Sequence, residues 1–166
     1  QLEGSFIRLI QQAQHSLFIG TPYFIPSKRL LAELLTALKR GVLLTVIIPY
    51  TADHLLVQEA SFSSLRRLLK AGADVFQYKK GFYHAKTIVV DDKLCDIGTA
   101  NFDKRSLFLN KEINCIIYDG AFIAHLKEII KKDINDSEPM SLAVLIKPNL
   151  LRSVKESIAG ALSHFL

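Results

Sequence analysis

The chain has 166 residues, 49% of them hydrophobic and 22% charged, a balance that suits one globular domain with a buried core and excludes a disordered polar chain. A net charge of +5 favours anionic partners such as nucleic acid, lipid head groups or phosphate esters, although a merely basic surface would give the same number. Cys95 and Cys115 form no paired framework and no metal-type spacing, which makes a reducing compartment the default, and no apolar run approaches the ~18 residues of a membrane span. The first residue is Gln1 rather than Met, with no charged-then-apolar leader behind it, so the chain is expected to be a piece of a longer protein.

Taken in order, Leu2, Phe6, Leu9, Ile10 and Ala13 share one helical face and predict an amphipathic helix over 3–14. Ser16 to Thr21 reads as a strand ended by Pro22, and Tyr23 to Pro26 as a loop whose aromatics are core residues or line a substrate path. Ser27 is placed to cap a helix over 28–39, and Gly41 to stop it. Val42 to Ile48 is an apolar run of strand length, suited to a central strand covered on both faces. A helical segment over 54–70, stopped by Gly72, leads to a strand over Asp74–Tyr78. This α-β-α-β-α-β order implies a mixed, largely parallel sheet with helices on both faces.

The rhythm then changes. Ala85 to Val90 reads as a strand, Asp91 to Lys93 as a tight turn and Leu94 to Gly98 as the returning strand. Asn101 to Asn110 reads as a loop, Lys111 to Tyr118 as a further strand, and Asp119 as the cap of a helix over 121–134. The division expected is a domain over 1–138 and a tail over 139–166 that carries an amphipathic helix near 149–165. The basic run Lys127, Lys131 and Lys132 reads as a solvated helix face, with lipid head-group contact as the alternative. Cys95 and Cys115 are expected to be small buried residues.

The stretch from Gly81 to Glu112 gathers chemistry. Residues i and i+2 of a strand share a face, so His84 and Lys86 project together if the strand begins there. An imidazole can attack or protonate a group at phosphorus, and a lysine beside it neutralises phosphate oxygens. The returning strand delivers Thr99 and Asn101 to the same end, where their side chains can hydrogen-bond phosphate, and Gly98 allows close backbone approach. Glu112 opens the next strand and could accept Nδ1–H of His84, leaving Nε2 to react. Asp91 sits in the turn, where a structural role suits it better than contact with substrate.

His84, Lys86, Asp91, Gly98, Thr99 and Asn101 stand at the spacing H-x-K-x4-D-x6-G-[S/T]-x-N, and the pattern resembles the signature of the phospholipase D superfamily. A second H-x-K, His125 and Lys127, lacks the sequel and reads as incidental. Thr21-Pro22-Tyr23-Phe24-Ile25-Pro26-Ser27, Gly81 to Lys86, Gly98 to Ser106 and Leu109 to Glu112 look like the C-terminal half of bacterial cardiolipin synthases over roughly residues 1 to 138. The resemblance implies phosphatidyl transfer through a phosphohistidine, joining two phosphatidylglycerol molecules with release of glycerol, without metal or cofactor. It marks His84, Lys86, Asn101, Glu112 and Asp91 as the catalytic set and Lys86, Thr99 and Asn101 as phosphate contacts. Family members carry two motifs at a shared site and this chain has one, so the N-terminal half of a parent or a second copy is an expected partner. Phosphatidylglycerol and other anionic phospholipids are the expected ligands. The parent is expected at the cytoplasmic face of the cell membrane and the fragment itself to be soluble. Two other readings rank lower: a phosphodiesterase acting on nucleic acid, disfavoured by the absence of Trp, and a silent docking half, disfavoured by the joint presence of His84, Lys86 and Asn101.

Overall fold

The structure, a computed structural model, describes residues 2–51 and 55–146. Its elements in chain order are α1 (Leu2–Gln12), β1 (Ser16–Gly20), β2 (Phe24–Ile25), α2 (Lys28–Lys39), β3 (Leu43–Pro49), α3 (Leu55–Lys70), β4 (Asp74–Tyr78), β5 (Thr87–Val90), β6 (Leu94–Gly98), β7 (Phe102–Asp103), α4 (Lys104–Phe108), β8 (Asn114–Ile117), α5 (Gly120–Asn135), β9 (Ser137–Pro139) and α6 (Leu142–Ile146). Seven strands form one sheet in the order β8-β6-β5-β1-β3-β4-β9, and β2 pairs with β7 in a second, small sheet. The fold is the expected mixed α/β architecture, but the sheet is not largely parallel, because the β5–β6 hairpin and the strands β8 and β9 add to it antiparallel. Its parallel part is the trio β1-β3-β4.

Strand alternation sends the two sides of the sheet into separate cores. One is built by α1, α2 and α3 through Phe6, Ile10, Leu30, Leu34, Leu65 and Leu68 against Leu17, Ile19, Leu44 and Val46. The other lies under α5, where Ile123 and Ile130 cover Phe18, Ile47, Val89 and Cys95. Ser27 caps α2 as expected, its hydroxyl accepting from the Leu30 N–H at 3.1 Å and donating to the buried Glu3 at 2.5 Å. That contact ties the start of α1 to the start of α2. Arg40 closes the other end by donating to the Ile10 and Ala13 carbonyls at the end of α1, each at 3.2 Å.

Four further sequence expectations change. The expected loop over 101–110 contains β7 and α4, because Asp103 accepts from the Ser106 N–H at 2.7 Å and starts a helical turn. The expected loop at Tyr23–Pro26 contains β2, held parallel to β7. Cys95 is buried but Cys115 is exposed, because β8 is an edge strand with no neighbour on its outer side among the described residues. Residues 137–139 form β9 on β4, and Met140 and Leu145 continue the α1–α3 core beyond residue 138. The helix expected at 149–165 and the expected helix start at 54 lie outside the described residues. Among the described residues no helix is long and apolar enough to cross a membrane.

Candidate functional site

Antiparallel pairing of β5 with β1 sets Thr87 opposite Gly20, so the residues just before β5 stand at the carboxyl ends of the parallel strands, the end at which open α/β sheets hold ligands. His84 and Lys86 lie there. The strand starts at Thr87 rather than Ala85, yet the Gly98 N–H still donates to the Lys86 carbonyl at 3.2 Å and carries the ladder one step further. Lys86 Nζ is 3.1 Å from His84 Nε2 and donates to the His84 carbonyl at 3.1 Å. With Lys86 protonated, Nε2 is the acceptor and the ring proton belongs on Nδ1. His84 is exposed, whereas Tyr83 before it is buried and hydrogen-bonded to Asp133 of α5. The Tyr83 hydroxyl occupies the space where a side chain on Gly20 would stand, so Gly20 makes room for the anchor that precedes the histidine. Burial, foremost, and the Asp133 carboxylate push the Tyr83 hydroxyl far above the usual tyrosine range, so it stays a neutral donor.

The second wall is held from below by aromatic packing. Phe102 stacks between Phe6 and Phe24, with ring centroids 5.6 and 5.2 Å away and planes within 7° and 6° of parallel. The Phe102 N–H donates to Thr21 Oγ1 at 3.0 Å, and the Asn101 N–H donates to Ser106 Oγ at 3.2 Å. Asn101 is thus fixed by its neighbour in the core and by α4. Its side chain also bonds Asp103, while its Oδ1 is buried without a hydrogen-bond partner. An amide that gives Nδ2 to Asp103 leaves Oδ1 as a buried acceptor with no donor among the described residues.

Glu112 does not meet His84. Its carboxylate accepts from Thr99 Oγ1 and, at 3.1 Å, from Asn110 Nδ2, and Thr99 Oγ1 accepts in turn from the Ile113 N–H at 2.9 Å. The expected support of the imidazole by Glu112 is therefore replaced by support of Thr99 and the Asn110 turn. Burial works to raise the Glu112 carboxyl, but hydrogen bonds from Thr99, Asn110 and Ser106 and the charge of Lys86 hold it below the usual range. Burial lowers the Lys86 ammonium, with Glu112 and Asp103 partly opposing it. Burial also raises Asp103 and Asp96, the latter despite its bond from Asn114 Nδ2. His84, Lys86, Thr99, Asn101 and Glu112 thus gather at one end of the sheet.

Asp91 does not join them. It lies at the far end of β5, seven residues from His84 and, at ~3.3 Å per residue, roughly 20 Å away. Its carboxylate accepts from the N–H groups of Gln14, His15 and Ser16 at 3.2, 2.9 and 2.8 Å, fixing the α1–β1 turn. The second H-x-K lies on α5, where Lys127 pairs with Asp92 at 2.5 Å.

Spacing alone did not point to Tyr83, Asp96, Asn114 or Thr21, although the Asp103-x-x-Ser106 pattern is a helix-start signal that could have revealed α4. Gly98 does allow a close approach, and what approaches is β8. A Cβ there would fall inside the van der Waals envelope of the Ile113 carbonyl oxygen and the Asn114 side chain. Gly98→Ala is therefore expected to lose about 2 kcal/mol, as overpacking against backbone does, read as a lower urea midpoint at unchanged slope.

Solved structures first define the class. Nuc of Salmonella typhimurium, described as a phospholipase D family member, superposes with a TM-score of 0.73 at 19% identity, covering 82% of this chain and 89% of its own. The phosphatidylserine synthase of Haemophilus influenzae Rd KW20 superposes with a TM-score of 0.78 at 19% identity, covering 99% of this chain and 43% of its own. At these identities the likeness establishes a phospholipase D-like fold. Sequence then narrows it: the chain belongs to the family described as "Cardiolipin synthase, PLD-like domain", which matches residues 6–134. The minor cardiolipin synthase ClsB of Bacillus subtilis (strain 168) is 44% identical over 165 residues, 99% of this chain and 42% of that protein. The major cardiolipin synthase ClsA of the same strain is 41% identical over 166 residues, 100% of this chain and 34% of that protein. The chain thus spans less than half the length of these curated relatives.

Proposed function

We propose that this chain supplies one wall of the active site of a phosphatidyltransferase that joins two phosphatidylglycerol molecules into cardiolipin. The observation that carries this reading is the placement of Lys86 Nζ 3.1 Å from His84 Nε2 at the open carboxyl end of the sheet, with Thr99 and Asn101 on the facing turn. One of two paired histidines attacks phosphorus, and the bond from phosphorus to the glycerol oxygen breaks. The other histidine gives that oxygen its proton, so glycerol leaves and a phosphohistidine remains. It then takes the proton from the hydroxyl of a second phosphatidylglycerol, whose oxygen displaces the first histidine from phosphorus. Lys86 balances charge on the non-bridging oxygens, and Thr99 and Asn101 hydrogen-bond them if they exchange their bonds to Glu112 and Asp103 for phosphate.

The second histidine comes from the N-terminal half of the parent or from another copy. The rim of the site suits such a partner: Phe82, Phe108 and Leu109 are exposed, Ile113 is 79% exposed, and Ile116 and the 70% exposed Tyr118 continue the apolar strip along the β8 edge. The parent then works at the cytoplasmic face of the cell membrane, where its anionic substrate is presented. The test is to incubate the full-length parent with phosphatidylglycerol vesicles and, separately, with single-stranded DNA, chelator present. Cardiolipin and glycerol are expected in equal amounts, DNA is expected intact, and the purified chain as a demonstrated monomer is expected to make no cardiolipin. DNA cleavage without lipid turnover overturns the transferase reading, and robust synthesis by the monomer overturns the shared site.

A further inference from the structure

The two faces of the sheet are covered unequally. The helices α1, α2, α3 and α6 pack on one side, whereas α5 is the described helix on the other. That helix rests on β4, β6 and β9 and leaves a groove over the starts of β1 and β3. The groove has a volume of about 360 Å³, walled by Phe18, Leu43, Val89, Ile130 and Ile134, with Thr45 as a polar group on its floor. It opens at the end of the sheet that holds Ser16, Leu43 and Asp91, opposite the end that holds His84. A ligand there is outside the proposed reaction, and the inference does not depend on that reading.

The rim carries the charge. Lys127 and Lys131 stand one helical turn apart on α5, both lining the groove. Lys127 pairs with the exposed Asp92, and among the described residues Lys131 makes no ion pair or side-chain hydrogen bond. The acids nearby oppose them weakly: Glu128 shares the rim, and the Asp91 carboxylate is engaged by three backbone N–H groups of the α1–β1 turn. An apolar trough of this volume with cations at its mouth matches one alkyl chain ending in an anion. The volume lies at the small end of the ~300–1,000 Å³ of small-molecule sites, too narrow for a two-chain lipid.

We propose that this groove binds a single-chain anionic amphiphile, its alkyl chain between α5 and the β1–β3 floor and its head group on Lys127 and Lys131. The chain has no Trp, so Leu43→Trp, at a mouth position that is 73% exposed, installs a single fluorescent reporter that leaves the core untouched. The 166-residue reporter protein is titrated with dodecyl phosphate below its micelle concentration. A saturable blue shift is expected, with none from inorganic phosphate. Adding Lys131→Glu, a surface change that leaves folding intact, is expected to raise the midpoint at least tenfold, and neutral dodecyl maltoside is expected to need at least tenfold more. The proposal is overturned by the absence of a saturable shift, by equal midpoints for Lys131→Glu and its parent, by equal midpoints for the charged and neutral amphiphiles, or by a reporter already blue-shifted without ligand, which would mean that protein covers the groove.

Discussion

Replacing His84 with alanine in the full-length parent is expected to reduce cardiolipin formation at least about 10³-fold, the scale on which nucleophile and proton-transfer groups act. On the proposed mechanism the reduction belongs in kcat: the imidazole would act as nucleophile or as proton carrier, whereas affinity would rest on Lys86, the facing turn and the lipid-contacting parts of the parent. Stability should hardly change. His84 is exposed, and its ring meets Lys86 Nζ and the tilted ring of the exposed Phe82, 5.6 Å away between centroids. Surface changes of this kind stay within about 0.5 kcal/mol. The measurement is initial cardiolipin production over a range of phosphatidylglycerol concentrations, beside urea unfolding of the same preparation. Near-normal kcat in the folded variant sinks the assignment of His84 to the chemistry. A loss that tracks unfolding would instead assign it to the scaffold.

The residues of that site were legible because their order along the chain carries the geometry. A hairpin returns its second strand to the start of its first, so the run from His84 to Asn101 must bring its ends together whatever the rest of the fold does. The residues that hold them were harder to see. Asn101 is fixed by Phe102, whose stacking partners Phe6 and Phe24 are far away in sequence, and by strands of only two residues each, too short to show any alternation. Glu112 is expected at the opening of a strand over 111–118, but β8 begins at Asn114, two residues later, and the partner of Glu112 depends on how closely the chain entering β8 approaches β6, where Gly98 meets the Ile113 backbone. Cys115 alternates like a buried residue and is exposed because β8 is the edge, a fact of strand order rather than of local pattern. The central strands show the reverse in part: Val42 to Ile48 reads as covered on both sides, and β3 lies between β1 and β4 with Ile47 and Ile48 buried in the cores on either side, but its start at Leu43 is 73% exposed.

Asp91 belongs to the same sequence motif as His84, yet substitution there is expected to act on stability. Asp91→Ala removes the acceptor of three backbone N–H groups at 2.8 to 3.2 Å and puts alanine at φ 51°, a left-handed conformation that Asp tolerates better. Unmade bonds to a charged group and the backbone penalty together suggest a loss of about 3–4 kcal/mol at pH 7. Asp91→Asn keeps one acceptor oxygen and a residue suited to that φ, so it should lose about half as much. The pH dependence has a definite sign. Burial pulls the Asp91 carboxyl upward, but the bonds from Ser16, His15 and Gln14, with the nearby charge of His15, outweigh it and hold the folded value below the ordinary one. A carboxyl lowered on folding contributes stability above its unfolded pKa of about 3.9 and loses that contribution as pH falls through the folded value. The gap in urea midpoint between Asp91→Ala and the unaltered chain should therefore be constant from pH 7 to about pH 5 and narrow below about pH 4. Salt should hardly affect it, because the carboxylate is buried and bonded to backbone rather than to a surface cation. In the parent, Asp91→Asn should keep most of its kcat at temperatures where it is folded. A folded Asp91→Asn protein with kcat down a hundredfold would place this carboxylate in the chemistry after all, and an Asp91→Ala loss under 1 kcal/mol would remove it from the scaffold.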